Sequence, residues 1–123
     1  MVKILVVDDS AIMRNIVKNT FAAMKIPFLC LEAENGKQAL RQLESNEITL
    51  VFLDWNMPGM DGMGFLKIVR AMPKYQTLPI IMVTSERGKF SVVEAILNGA
   101  TDYIVKPVNE KIFREKIQEI LYQ

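Results

Sequence analysis

One pattern restricts this chain more than any other. Five short apolar runs, "VKILVV" (2–7), "FLCLEA" (28–33), "ITLVFLD" (48–54), "PIIMVTS" (79–85) and "DYIV" (102–105), are each followed by residues whose apolar positions recur at helical spacing. Runs that are apolar throughout read as strands buried on both faces. A helix between successive strands calls for a parallel sheet with helices on both sides and right-handed crossovers. The first helix is expected from the Ser10 N-cap, with Ile12, Ile16, Val17, Thr20, Phe21 and Met24 on its packed face and Pro27 marking its end. The second is expected over Lys37 to Leu43 after a turn at 34–36, and the third over Met63 to Met72. Phe90, Val93, Ile96 and Leu97 mark the fourth, which Asn98-Gly99 closes. The last runs from Val108 to Leu121, with Ile112, Phe113, Ile117, Ile120 and Leu121 on one face. The 123 residues suit one domain spanning 1–123, with no repeat, linker or second domain expected.

Composition removes several classes of function. A formal net charge of +1 offers no basic footprint for nucleic acid. No apolar run approaches the roughly 20 residues that span a bilayer, and "MVKILVVDDS" is too short and too acidic for a signal peptide, so a cytoplasmic protein is expected. Cys30 is the only cysteine, which gives neither an internal disulfide nor a metal signature. The chain has no histidine. That rules out Ser-His-Asp and Cys-His catalysis and His-ligated zinc, and leaves Asp, Thr, Ser, Lys and backbone groups to carry any chemistry.

In a parallel sheet, ligands bind beyond the carboxyl ends of the strands. The first strand ends in Asp8 and Asp9, the third in Asp54, the fourth in Thr84 and Ser85, and the fifth in Lys106. The second offers Glu32 and Glu34, to which no role is assigned. Taken singly, each has an ordinary explanation: a helix cap, a turn residue, a strand-end hydroxyl, a solvated lysine. Together they place three carboxylates, a hydroxyl and an ammonium on one sheet edge. Two carboxylates about 5 Å apart repel by ~3 kcal/mol at an effective dielectric of about 20. A hard divalent cation offsets that well, and Mg²⁺ suits a few carboxylates, retained waters and a phosphate. Cation, carboxylate, lysine and hydroxyl are the parts of a phosphoryl-transfer site, in which a carboxylate can itself be the acceptor.

"VVDDS", "LDWNMPGMDG", "VTSE" and "DYIVKP", in this order and spacing, resemble the receiver domain of two-component response regulators over the whole chain. Among these, the stand-alone chemotaxis regulators are the nearest likeness. The resemblance implies a flavodoxin-like doubly wound (βα)₅ sandwich with strand order 2-1-3-4-5. It implies that Asp54 accepts the phosphoryl group. Asp9, Asp54 and the backbone carbonyl of Asn56 would bind Mg²⁺, with Asp8 acting through a metal-bound water. Lys106 and Thr84 would contact the phosphoryl group, Tyr103 would swing inward behind Thr84, and Lys106-Pro107 would be the peptide that is often cis. Ser85 and Val108 stand where alanine and phenylalanine are frequent, and Ser85 would bear on access to the phosphoryl group. Asn56 and Glu86 would flank the attacking water and tune signal lifetime. Val92, Ile96, Tyr103 and Lys116 would lie on the partner face formed by the fourth helix, fifth strand and fifth helix, although core packing explains Val92 and Ile96 equally well.

The implied protein is a phosphorylation switch without conventional enzyme turnover, beyond slow autodephosphorylation. A histidine kinase would be the donor, a flagellar switch protein the target, and a dedicated phosphatase a further partner. A monomer is expected, with neither nucleic acid nor membrane insertion. A phosphorelay intermediate is the alternative output. An aspartate-nucleophile phosphatase of the haloacid dehalogenase type would want a second aspartate two residues after the nucleophile, where Asn56 stands and cannot act as a general acid. A flavodoxin-like phosphate-binding module would want a Ser/Thr/Gly loop where this chain has the acidic "DDSAIM".

Overall fold

The sheet has five parallel strands in the order β2-β1-β3-β4-β5: β1 Val2–Val7, β2 Phe28–Ala33, β3 Leu50–Leu53, β4 Ile80–Thr84 and β5 Asp102–Val105. The helices are α1 Ala11–Ala23, α2 Gly36–Ser45, α3 Gly62–Arg70, α4 Lys89–Leu97 and α5 Glu110–Leu121. A 3₁₀ turn over Pro73–Tyr75 lies between α3 and β4. This computed structural model describes residues 1–57, 59–85 and 89–122.

The period of two along each strand divides the core. Ile4 and Val6, Leu50 and Phe52, Ile81 and Val83, and Ile104 face α1 and α5, where they meet Val17, Phe21, Phe113 and Ile117. Phe52 is the hinge of that layer, stacked on Phe113 at 5.1 Å and edge-on to Phe21 at 5.8 Å. Leu5 and Val7, Val51 and Leu53, Ile80 and Met82, and Tyr103 face the other way, onto Ala39, Leu43, Phe65, Leu66, Val69 and Ala95.

The helix starts follow local chemistry. Ser10, Asn35, Asp61 and Asn109 each accept a backbone N–H from the first turn of the helix they precede. The Asn109 cap begins α5 at Glu110, two residues later than Val108. The Asn35 cap brings Gly36 into α2, which runs on to Ser45. The third helix stops at Arg70 and not Met72, because Pro73 opens the 3₁₀ turn. The third strand is shorter than 48–54, since its ladder covers only Leu50 to Leu53. On α1 the buried stripe is Val17, Thr20 and Phe21, with Met13 and Met24 packed beside it. Ile12 and Ile16, expected on that face, are 74% and 37% exposed. Ile12 precedes Met13, and Ile16 precedes Val17, by one residue, roughly 100° around the helix.

Candidate functional site

The strand ladders carry the polar residues to one edge. The N–H of Asp8 donates to the Ala33 carbonyl at 3.0 Å, and that of Asp54 donates to the Val7 carbonyl at 2.9 Å. Each carries strand-like pairing one residue beyond its strand, so both aspartates end up buried, at 4% and 5% exposure. Asp9 is exposed beside them. One carboxylate oxygen from each of Asp8, Asp9 and Asp54 lies within 4.8 Å of the others. On the far strand the Lys106 N–H donates to the Thr84 carbonyl at 2.8 Å. Its Nζ reaches Asp8 Oδ2 at 3.1 Å and Asp54 Oδ1 at 3.4 Å. The Lys106–Pro107 peptide is cis.

Three carboxylates and one ammonium leave a formal excess of two negative charges (3 − 1 = 2) around these groups. The Asp54 carboxyl is accordingly raised above its ordinary value, first by burial and then by the Asp8 charge; Lys106 and the Asn56 N–H oppose the shift. The Ser10 N–H offsets part of the charge on Asp8, donating to Oδ1 at 2.9 Å.

The donor set fits a hard divalent ion. It is all oxygen. Ligand atoms around an octahedral Mg²⁺ lie about 3 to 4 Å apart, close to the spread already present. Asp8, Asp9 and Asp54 are the residues that could hold it.

The loop after β3 is folded tightly against the site. The Gly62 N–H donates to the Trp55 carbonyl at 2.8 Å, and Asp61 caps α3 through the Gly64 N–H. A Cβ on Gly62 would collide with the Asp54 carbonyl oxygen. Trp55 is half-buried against the core beside Asp54.

Thr84 is fully buried at the end of β4, while Ser85, one residue on, is exposed. Met82 is the register partner of Tyr103, so Thr84 and Tyr103 are diagonal neighbours on one sheet face. Tyr103 lies inward at 8% exposure. Of the four residues expected on a partner face, Ile96 alone is exposed. Val92 is half-buried against the core, Tyr103 is buried, and Lys116 is drawn to Asp102 at 2.8 Å. Val93 and Leu97, at 46% and 80% exposure, accompany Ile96 on α4. Asn56 is exposed next to the site, whereas Glu86 and Pro58 lie outside the described residues.

Sequence reasoning missed Arg14. Its Nη1 donates to the Asp8 carbonyl at 2.7 Å, and its Nε donates to Glu32 at 2.9 Å. The signal was an acidic residue without a role, Glu32, in an otherwise apolar strand.

A family model for the response regulator receiver domain matches residues 4–118. The chain belongs to that family. As a receiver domain it is 46% identical over 97% of its length to the chemotaxis protein CheY homolog of Campylobacter jejuni, covering 92% of that protein. It is 44% identical to chemotaxis protein CheY1 of Helicobacter pylori, over 97% of this chain and 96% of that one. Among solved structures, chemotaxis protein CheY4 of Vibrio cholerae superposes with a TM-score of 0.88 at 33% identity, covering 98% of this receiver and 99% of that chain. A putative response regulator from Chloroflexus aurantiacus gives 0.90 at 27% identity, covering 98% of each chain. The strand order expected of the family is the one observed. Receiver domains bind Mg²⁺ at an acidic pocket, and Asp8, Asp9 and Asp54 here form an acidic cluster that could hold a metal ion. No helix among the described residues is long and apolar enough to cross a membrane.

Proposed function

We propose that this receiver domain is a phosphorylation-operated switch. Asp54 takes a phosphoryl group from a phosphohistidine of a partner kinase, and the phosphorylated domain signals through altered protein binding. The observation that carries this reading is the position of Lys106 Nζ, within 3.4 Å of both buried carboxylates. An Asp54 oxygen forms the new P–O bond as the N–P bond breaks, and the imidazole leaves with the N–P electron pair and takes up a proton. Asp9, Asp54 and the Asn56 carbonyl would hold Mg²⁺, with Asp8 acting through a water, and the ion would supply neutralising charge for the phosphoryl oxygens. Lys106 turns its ammonium from the carboxylates to a phosphoryl oxygen, and the Thr84 hydroxyl donates to another. Thr84 and Tyr103 share a sheet face, so drawing Thr84 toward the phosphate changes the packing of Tyr103 and α4. Asn56 and Glu86 set how readily water hydrolyses the acyl phosphate, with Ser85 at its approach.

The output we infer is chemotaxis control, with a cytoplasmic flagellar switch protein as the target; the names of the relatives above support it. The exposed Val93, Ile96 and Leu97 on α4 offer the partner an apolar surface. The deciding experiment follows the fluorescence of Trp55, the only tryptophan, during addition of Mg²⁺ and then acetyl phosphate. Both additions are expected to change it, and Asp54→Asn is expected to abolish the second change. An Asp54→Asn variant that responds to acetyl phosphate like the wild type would overturn the assignment. A pull-down with and without beryllofluoride, a phosphoryl mimic, separates the outputs. A flagellar switch protein captured only with the mimic supports chemotaxis, and a histidine phosphotransfer protein in its place points to a phosphorelay.

A further inference from the structure

Arg14 lies on the first turn of α1 with its side chain only 12% exposed. Its guanidinium divides its donors between two elements. Nη1 donates to the Asp8 carbonyl at 2.7 Å, Nε donates to Glu32 Oε1 on β2 at 2.9 Å, and Nη2 stands 3.9 Å from Glu34. Lys18, one turn further along α1, holds the other Glu32 oxygen at 2.9 Å. The carbonyl that Arg14 grips belongs to the Asp8–Asp9 peptide. A peptide is a rigid plane, so fixing its oxygen fixes the direction in which Asp9 leaves Asp8. The N–H side of Asp8 is already set by Ala33. Arg14 is thus the side chain that ties down the other end of the unit carrying two of the three clustered carboxylates.

We infer that Arg14 is a positioning residue for the divalent cation. Braced by Glu32 and Lys18, it holds the Asp8–Asp9 peptide so that both carboxylates stay turned toward Asp54. The inference rests on the Mg²⁺ reading above and extends it to residues outside the acidic cluster. The guanidinium carries donors on separate nitrogens, Nη1 to the carbonyl and Nε to the carboxylate; an ammonium concentrates its donors on one nitrogen and spans two oxygens held this way less well. Outer contacts of this kind typically alter metal affinity by about 10- to 100-fold. The brace here is partly exposed, which favours the lower end.

The test is a Mg²⁺ titration read by Trp55 fluorescence on the wild type, Arg14→Met, Arg14→Lys and Glu32→Gln, with far-UV circular dichroism to check folding. Arg14→Met is expected to raise the Mg²⁺ Kd about tenfold, while saturating Mg²⁺ restores acetyl phosphate uptake. Arg14→Lys is expected to behave like Arg14→Met, and Glu32→Gln to raise Kd by about threefold. Wild-type Kd in folded Arg14→Met and Arg14→Lys overturns the inference. Should Arg14→Met fail to fold, wild-type Kd in Arg14→Lys and Glu32→Gln overturns it equally. A wild-type chain indifferent to Mg²⁺ would instead remove the functional reading beneath it, and the inference with it.

Discussion

Asp54 is a residue the fold holds against its own electrostatic preference. Burial and the Asp8 charge both disfavour its ionised form, and Lys106 offsets only part of this. A carboxyl raised on folding destabilises the native state progressively as pH climbs from its unfolded value through its folded one. Asp54→Asn removes that effect. In EDTA near pH 7 the variant is expected to melt a few degrees above wild type, a shift of roughly 1 kcal/mol, and the gap should close as pH falls below the ordinary carboxylate range of about 4. Thermal melts at both pH values check this; a variant melting lower than wild type at neutral pH would contradict it. Gly62 constrains the same residue sterically. A methyl there meets the Asp54 carbonyl, which is backbone and cannot rotate away, whereas a methyl on Gly36 meets the flexible Met60 side chain. Gly62→Ala is expected to lower the melting temperature by roughly 5–10 °C, consistent with overpacking of about 1–3 kcal/mol, and Gly36→Ala by clearly less. Equal melts for the two would show that the loop yields as easily as a side chain. The polar site residues Asp8, Asp9, Asp54, Thr84 and Lys106 were legible because each ends an apolar run. Arg14 and Gly62 were not, because their roles depend on which backbone atoms approach from other elements.

Among elements, the strands were read more accurately than the helix ends. An uninterrupted apolar run leaves few alternatives to a buried strand, so β1, β2 and β5 have the limits expected from the sequence. Helix ends depend on caps: Asn35 and Asn109 moved two starts, and Pro73 moved a stop. The exposure of Ile12 and Ile16 on α1 shows how a spacing of four can mark the margin of a helix face instead of its centre. One tie between elements had no sequence signature at all. Arg70, at the end of α3, donates from Nε to the Gly99 carbonyl at 2.8 Å and from Nη1 to the Tyr75 carbonyl. Gly99, at φ +104°, turns the chain from α4 into β5, so Arg70 anchors the trailing end of the helix proposed to carry the signal. Arg70→Met retains the stem but removes a donor from both carbonyls, leaving that of Tyr75 only the Leu78 N–H at 3.4 Å, at a cost of about 1–3 kcal/mol. Amide exchange at Gly99 to Thr101 is expected to accelerate more than exchange in β1. Uniform acceleration across the sheet would mean that Arg70 supports global stability only.

At the scale of the whole molecule, two carboxyl environments pull stability in opposite directions with pH. Glu32 is held below the ordinary carboxylate range, chiefly by its hydrogen bond to Lys18 and further by Arg14. Its contribution is present above its unfolded value and is lost as pH falls through the folded one. Asp54 acts the other way, its ionisation weakening the fold as pH rises. Without a divalent cation, stability should therefore pass through a maximum on the acid side of neutrality. A cation bound among Asp8, Asp9 and Asp54 favours the ionised carboxylates and binds only the folded chain, adding RT ln(1 + [Mg²⁺]/Kd). At ten times Kd that amounts to about 1.4 kcal/mol, and it fades in acid as the ligands protonate. The pH of maximal melting temperature is thus expected to move upward when Mg²⁺ replaces EDTA in a series of melts from about pH 4 to 8. In Asp54→Asn the shift should be much reduced, because the group whose ionisation the cation rescues is gone. A maximum that stays at the same pH with and without Mg²⁺ would mean that the acidic cluster is not where the ion and the fold are coupled. A shift fully retained in Asp54→Asn would assign the coupling to Asp8 and Asp9 alone.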